Sequence, residues 1–309
     1  MKRLVRFGLF LGRSGLSLLI LSAAIIFFTF FGMQMAANWR GPDPGYHLVP
    51  TLDSTWQAST SFFRGMLQGD LGTVNMISGE ASVSQLLIEY FKNSMGLLGL
   101  SLGFASVLGI LLGGIAALTA RRRWEYLILI LTLLGVSAPS FFLAVLLQNL
   151  GIKYTVTFGN QLVSMGGYAW DFKHLAMPVI ILAARPLAHI TRVTFSNLSE
   201  IMGEDYIRTA RSKGLKGYRT VIVHGLRNLA VSVLTSIGVS IRFSLTILPV
   251  VEYIFAWPGM GRGALEGINN QRTLLVVSIA LAIGLTIELI NTLLNTTYPF
   301  IDPRLRKEL

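Results

Sequence analysis

Long stretches without charge dictate what this chain can become. From Ser14 to Met35 no ionisable side chain occurs over about 22 residues, and crossing a hydrocarbon core takes roughly 20. The pattern returns at Asn93–Ala120, Tyr126–Leu150, His174–Phe195, Leu229–Val251 and Thr273–Thr297, where only Arg185, Arg192, Arg242 and Glu288 carry a fixed charge. Inside a bilayer every backbone N–H and C=O must be satisfied within the protein, so only helices or closed barrels cross. These runs are too long and too uniformly apolar for the alternation of a barrel strand. The sequence therefore predicts an all-α integral membrane protein with six transmembrane helices.

Composition agrees. Of 309 residues, 52% are hydrophobic and 13% charged, against about 25% charged in soluble domains. The length suits one helical bundle and leaves little for a separate soluble domain. There is no cysteine, which excludes a disulfide framework, zinc thiolates and a cysteine nucleophile. The histidines, His47, His174, His189 and His224, show no metal-ligand spacing, and neither H-E-x-x-H nor G-x-S-x-G occurs, which argues against an intramembrane enzyme. The formal charge of +11 fits basic loops held at an anionic inner leaflet better than nucleic-acid binding.

Lysine and arginine placement sets the expected orientation. With the N-terminus inside, the inner segments hold Lys2, Arg3, Arg6 and Arg13, then Arg121–Arg123, then Arg192 and the cations of residues 204–228, then Arg304, Arg306 and Lys307. The outer segments hold only Arg40, Arg64, Lys92, Lys153, Lys173, Arg262 and Arg272. Both termini are thus expected in the cytoplasm. The basic start followed by an apolar run has the look of a signal peptide, with Ala36–Ala37–Asn38 as a weak cleavage candidate. Its core exceeds the ~7–15 residues of such a peptide and reads as an uncleaved span. The organisation expected is a cytoplasmic N-terminus (1–13), a first span (14–35), an extracytoplasmic segment (36–92), a five-span core (93–298) containing a cytoplasmic loop at 197–228, and a cytoplasmic tail (299–309).

Within the first outer segment, Asn38–Gly45 is rich in turn residues, Ser61–Leu67 has the pattern of a short interfacial helix, and Gly69–Asp70–Leu71–Gly72 reads as a turn. The last outer segment, Glu252–Arg272, holds Trp257–Pro258–Gly259–Met260–Gly261–Arg262–Gly263, which suits a bent, re-entrant or interface-hugging loop.

Glu204–Asn228 is the most distinctive stretch. It is polar and basic, carrying Arg208, Arg211, Lys213, Lys216, Arg219 and Arg227. Tyr206, Ile207 and Ala210 fall at helical spacing, and Gly214, Leu215 and Gly217 end the run. That pattern predicts a short amphipathic helix presented to the cytoplasm, between the fourth and fifth spans, as a docking surface for a soluble partner.

The run Asp205–Tyr206–Ile207–Arg208–Thr209–Ala210–Arg211–x–Lys213–Gly214–Leu215, followed by His224–x–Leu226–Arg227–Asn228, resembles the permease subunits of ATP-binding-cassette importers, in the dipeptide/oligopeptide/nickel permease family. Further segments resemble that family in the same order: Gly69–Gly72, Ala138–Pro139–Ser140–Phe141–Phe142, His174–Leu175–x–x–Pro178, Phe255–x–Trp257–Pro258–Gly259–Met260–Gly261–Arg262, and Tyr298–x–x–Ile301–Asp302–Pro303–Arg304. The resemblance implies a membrane-embedded importer subunit of the inner (plasma) membrane, moving peptides or a solute such as a nickel complex. Its implied partners are a second, non-identical permease, two cytoplasmic ATPase subunits and an extracytoplasmic binding protein. ATP and magnesium would be bound by the ATPase subunits, because no G-x-x-x-x-G-K-[ST] loop occurs in this chain. Glu204, Asp205, Tyr206, Arg208, Thr209, Ala210, Arg211, Lys213, Gly214 and Leu215 would couple to the ATPase. Trp257, Pro258, Gly259, Gly261 and Arg262 would face the binding protein.

Arg185, Arg242 and Glu288 lie near mid-span and are candidates for the translocation path. A charge at the bilayer centre costs roughly 2.5–3.5 kcal/mol on insertion scales, so each should face the bundle or water. Arg242 and Glu288 are expected to pair, or to share a water-filled cavity. Arg185 has no acidic partner evident in the sequence. It either faces the pore, where it would meet a peptide carboxylate, or meets an acid on the partner permease. His189, one turn on, has either a pore role or an interior packing role. An ion-coupled secondary transporter is the alternative. It usually shows internal repeats, and none is evident here.

Overall fold

The computed structural model describes residues 2–41, 48–76, 79–119, 130, 132, 138–212 and 226–301. Its elements are α1 (Lys2–Arg40), α2 (Leu48–Leu67), β1 (Thr73–Met76), β2 (Gly79–Ser82), α3 (Val83–Leu118), α4 (Ser140–Phe158), α5 (Phe172–Gly203), α6 (Asp205–Ser212), α7 (Leu226–Ile254), α8 (Met260–Asn269) and α9 (Thr273–Ile301). Among the described residues, six stretches are long and apolar enough to cross a membrane: Gly15–Arg40, Val83–Leu118, Ser140–Phe158, Phe172–Gly203, Leu229–Ile254 and Thr273–Leu294.

Several boundaries differ from the sequence expectation. The interfacial helix expected at Ser61–Leu67 begins at Leu48, because Thr51, Thr55, Ser59 and Phe62 keep one buried face in helical register. An antiparallel hairpin follows it, pairing Val74 with Ala81 and Asn75 with Glu80, so the protein carries a two-stranded sheet beside its helices. The second span starts ten residues earlier than Asn93, directly at the end of β2. In the third, α4 runs past Gly151 and Lys153 to Phe158 rather than stopping at Leu150, and Ile130 and Thr132, earlier in the expected span, are also helical. Residues 126–129, 131 and 133–137 of that expected span, and Arg121–Arg123, lie outside the described residues. So do residues 42–45 of the expected Asn38–Gly45 turn and residues 302–304 of the tail, while Asn38–Arg40 continue α1 instead of turning.

The chain divides into two compact units. One comprises the chain up to Ser94 together with Pro258–Thr296; the other centres on Met95–Trp257. In the first, α2 lies along α1 through hydroxyl and amide groups. Gln34 Oε1 accepts from Ser54 Oγ and from Thr55 Oγ1, each at 2.8 Å. Asn38 Nδ2 donates to Thr51 Oγ1 at 2.8 Å. Polar contacts of this kind hold helices together where the solvent offers no hydrophobic drive. Deeper in, Phe62 meets Phe30 edge-on at 5.8 Å, in a cluster with Ile26, Val277 and Leu281. α2 ends on a left-handed residue, Gly69 (φ 79°), with Asp70 N–H reaching back to the Gly65 carbonyl, and the Asp70 carboxylate accepts from Gly72 N–H at 2.8 Å. Those bonds form the turn expected at Gly69–Gly72.

The second unit is built on the α5–α7 pair, with α4 packed against both. Its core gathers Leu97, Leu98, Ala144, Met177, Ile181, Leu182, Leu248, Val251, Phe255 and Trp257. Small residues bring α3 onto α5. A Cβ at Gly113 would stand 2.5 Å from the Thr191 carbonyl oxygen, and one at Gly109 would stand 2.9 Å from Ile190. Backbones approach this closely in membranes only where glycine removes the side chain. Pro178 and Pro186 lie inside α5 and Pro249 inside α7, each deleting one rung of its helical ladder.

Candidate functional site

Three places hold the residues singled out from the sequence. The first is the end of α5. Gly203 closes that helix, and Glu204 follows as a single extended residue (φ −67°, ψ 149°). Glu204 N–H donates to the Ile201 carbonyl at 3.2 Å, and its own carbonyl accepts from Ile207 N–H at 3.1 Å. The chain thus turns within one residue and starts α6 at Asp205. A carboxylate in a first helical turn is favoured by the exposed amides there. Thr209 Oγ1 bonds back to the Asp205 carbonyl at 2.9 Å. Ile207 is fully buried, while Glu204, Asp205, Thr209 and Ser212 are exposed. One apolar anchor and a polar outer face are what the amphipathic reading requires. Tyr206, Arg208, Ala210 and Arg211 are helical members of α6. Lys213, Gly214 and Leu215, with the helix stop assigned to Gly214, lie outside the described residues.

The second place is the opposite end of α5. Trp257 is fully buried, its ring 5.0 Å from Tyr168 and 5.2 Å from Trp170, edge-on to both. Trp170 Nε1 donates to the Tyr168 hydroxyl at 2.8 Å. A Cβ at Gly96 would collide with the Trp170 ring. Backbone links close the cluster: Gly167 N–H donates to the Phe255 carbonyl at 2.9 Å, and Gln148 Nε2 donates to the carbonyls of Met165 and Ile254 at 2.6 and 3.2 Å. α7 ends here with Trp257 N–H on the Glu252 carbonyl and Ala256 N–H on the Tyr253 carbonyl. That double bond pattern needs a left-handed residue, and Ala256 supplies it at φ 53° without being glycine. The helix therefore runs two residues past Glu252, where the sequence had placed the start of a loop. α5 itself begins under a cap: Asp171 Oδ1 accepts from His174 N–H at 2.9 Å and lies 2.7 Å from His174 Nδ1. These bonds to the ionised form hold the Asp171 carboxyl below its ordinary range.

Of the residues expected to face a binding protein, Trp257, Gly259 and Gly261 are buried. Pro258 and Arg262 are half-exposed, and Arg262 Nε pairs with Glu266 Oε1 at 2.7 Å. In the first unit, α8 has glycine at its cap position, Gly259, and its first N–H, from Met260, is taken by Ser94 Oγ at 2.8 Å. Asn93 Nδ2 donates to the Pro258 carbonyl at 2.9 Å. A Cβ at Gly263 would stand 2.6 Å from the Tyr90 ring. Sequence reasoning named neither Asn93 and Ser94 as supports nor Tyr168 and Trp170. The only available signal was a polar pair and an aromatic pair at span ends.

The third place is mid-span. Arg185 is exposed on α5 with its guanidinium carbon 5.5 Å from the centroid of Phe243 on α7, and His189 meets the same ring at 6.4 Å. Arg242 is exposed on α7, and Glu288 is half-buried on α9. Arg242 belongs to the second unit and Glu288 to the first.

Comparison with known proteins agrees with a membrane-spanning chain. Residues 109–307 match the family model described as binding-protein-dependent transport system inner membrane component. The chain is 31% identical over 304 residues to the dipeptide transport system permease protein DppB of Escherichia coli K12, covering 89% of each. It is 30% identical over 261 residues to the oligopeptide transport system permease protein OppB of Haemophilus influenzae, covering 84% of this chain and 83% of that one. It is 34% identical over 242 residues to the glutathione transport system permease protein GsiC of Salmonella typhimurium LT2, covering 78% and 76%. With those matches and six membrane-length helices, the chain belongs to the family of inner membrane components of binding-protein-dependent transport systems.

Proposed function

We propose that this chain is one of two pore-forming subunits of an ATP-driven importer for peptides or similar small solutes. The observation that carries the reading is α6, a short helix set off from a membrane span by one extended residue, with Ile207 as its buried anchor and Asp205, Thr209 and Ser212 turned outward. A helix so placed is a lever: a partner that grips its polar face can move α5 through Glu204. Both termini and α6 lie on the cytoplasmic side, where two ATPase subunits bind ATP and magnesium and grip this helix. An extracytoplasmic binding protein delivers solute at the other face, and the spans alternate between inward- and outward-open states. The relatives named for dipeptide, oligopeptide and glutathione transport support a peptide-like substrate.

The test is reconstitution of the chain with a second permease, ATPase subunits and a binding protein in proteoliposomes. Uptake should require both ATP and the binding protein. Uptake driven by an ion gradient without ATP removes the reading. Deleting Tyr206–Gly214 should release the ATPase from the purified complex while the spans remain inserted.

A further inference from the structure

In the second unit two permanent cations sit at one level of neighbouring spans. Arg185 is exposed although Ala183, Pro186 and Ala188 around it are buried. Its guanidinium lies over the Phe243 ring, 5.5 Å from the centroid. Arg242 adjoins Phe243 in sequence, so one residue's rise of about 1.5 Å separates it from that level, and it too is exposed. His189 touches the same ring from one turn further along α5. Neither arginine forms an ion pair with a described residue of its own unit; the nearest such pair in sequence, His174–Asp171, lies at the end of α5.

A guanidinium presents five N–H donors in a planar fork and no acceptor. A charge at this depth faces water or protein, not lipid. A guanidinium set over an aromatic face keeps N–H donors available to an anion. A planar fork with free edges is matched by a carboxylate, which accepts two parallel hydrogen bonds. A second cation at the same level raises the local affinity for an anion and repels a free ammonium group.

We propose that Arg185 and Arg242, with Phe243 as a floor, form a carboxylate-binding step in the transport path that engages the terminal carboxylate of the transported peptide. This rests on the importer reading given above. A carboxylate side chain on the second permease would satisfy the same cations, and the two sources leave different signatures.

The deciding experiment measures initial uptake by the complete importer in proteoliposomes, at saturating loaded binding protein, for one peptide and its C-terminal amide. The unaltered complex should carry the free acid about tenfold faster than the amide. Arg185→Gln and Arg242→Gln should each lower acid uptake about tenfold and leave amide uptake unchanged, bringing the ratio close to one. Arg185→Lys, which keeps the charge and loses the fork, should fall between. Amide uptake serves as the control for folding and assembly. Equal loss of acid and amide uptake assigns the cations to a carboxylate of the second permease and overturns the proposal. Full acid uptake by the variants, or no preference in the unaltered complex, overturns it as well. Absence of any ATP-dependent uptake by the unaltered complex instead removes the importer reading, and this step with it.

Discussion

The two ends of α5 are built on opposite plans. At its start, Asp171 caps the helix, and Tyr168, Trp170 and Trp257 interlock beside it, with Gly167 and Gln148 tying down the carbonyls of the α7 terminus. At its finish, a single extended residue and one buried isoleucine carry a short helix whose other described side chains face outward. Many mutually dependent contacts resist local opening, whereas an element with few buried groups opens or shifts at low cost. The expectation is one fixed end and one movable end.

The sharpest way to break this contrast is Trp257→Ala. Emptying the site of a fully buried tryptophan should cost about 3–5 kcal/mol, seen as a large fall in thermal stability of the purified protein. Ile207→Ala removes a buried aliphatic anchor, a change worth roughly 2–5 kcal/mol in a closed core. At the movable end it should act locally. Amide exchange in Asp205–Ser212 should rise sharply while global unfolding shifts little. A global loss equal to that of Trp257→Ala would erase the distinction between the ends.

Much of this architecture was legible in the sequence because the bilayer enforces length. Runs such as Ser14–Met35 and Leu229–Val251 cannot become anything but spans. The short helix at Asp205 was legible too, from Tyr206, Ile207 and Ala210 at helical spacing. The clamp was not. Tyr168 and Trp257 are far apart in the chain, and their meeting depends on how α5 and α7 pack, which local pattern does not encode. The hairpin at Thr73–Ser82 escaped notice because each strand has only four residues and the second, Gly79–Ser82, has no β-branched residue. The end of α7 was misplaced because the left-handed position that marks a helix end is held by Ala256, where glycine is the usual signal.

That alanine gives a smaller and opposite effect. A non-glycine residue in the left-handed region carries roughly 1–2 kcal/mol of strain, so Ala256→Gly should stabilise the fixed end by about 1 kcal/mol. A loss of stability would show that the Ala256 methyl group contributes packing there. The smallest effect concerns Asp171. Its carboxyl is held below the ordinary value of 3.8, so its contribution is complete above that pH and is lost as the pH falls through the depressed folded value. Asp171→Asn keeps a capping oxygen and should remove this part of the acid sensitivity, read as a flatter dependence of thermal stability on pH below 4 or so.

The hydrogen bond between Ser94 and the first amide of α8 joins positions 166 residues apart. Ile26, Phe30 and Phe62 likewise find Val277 and Leu281 only near the far end of the chain. During synthesis, the earliest helices must therefore wait in the bilayer with their mates unmade until the ribosome has nearly finished. A chain interrupted after Trp257 would leave that early material permanently orphaned, a recognisable target for membrane proteases.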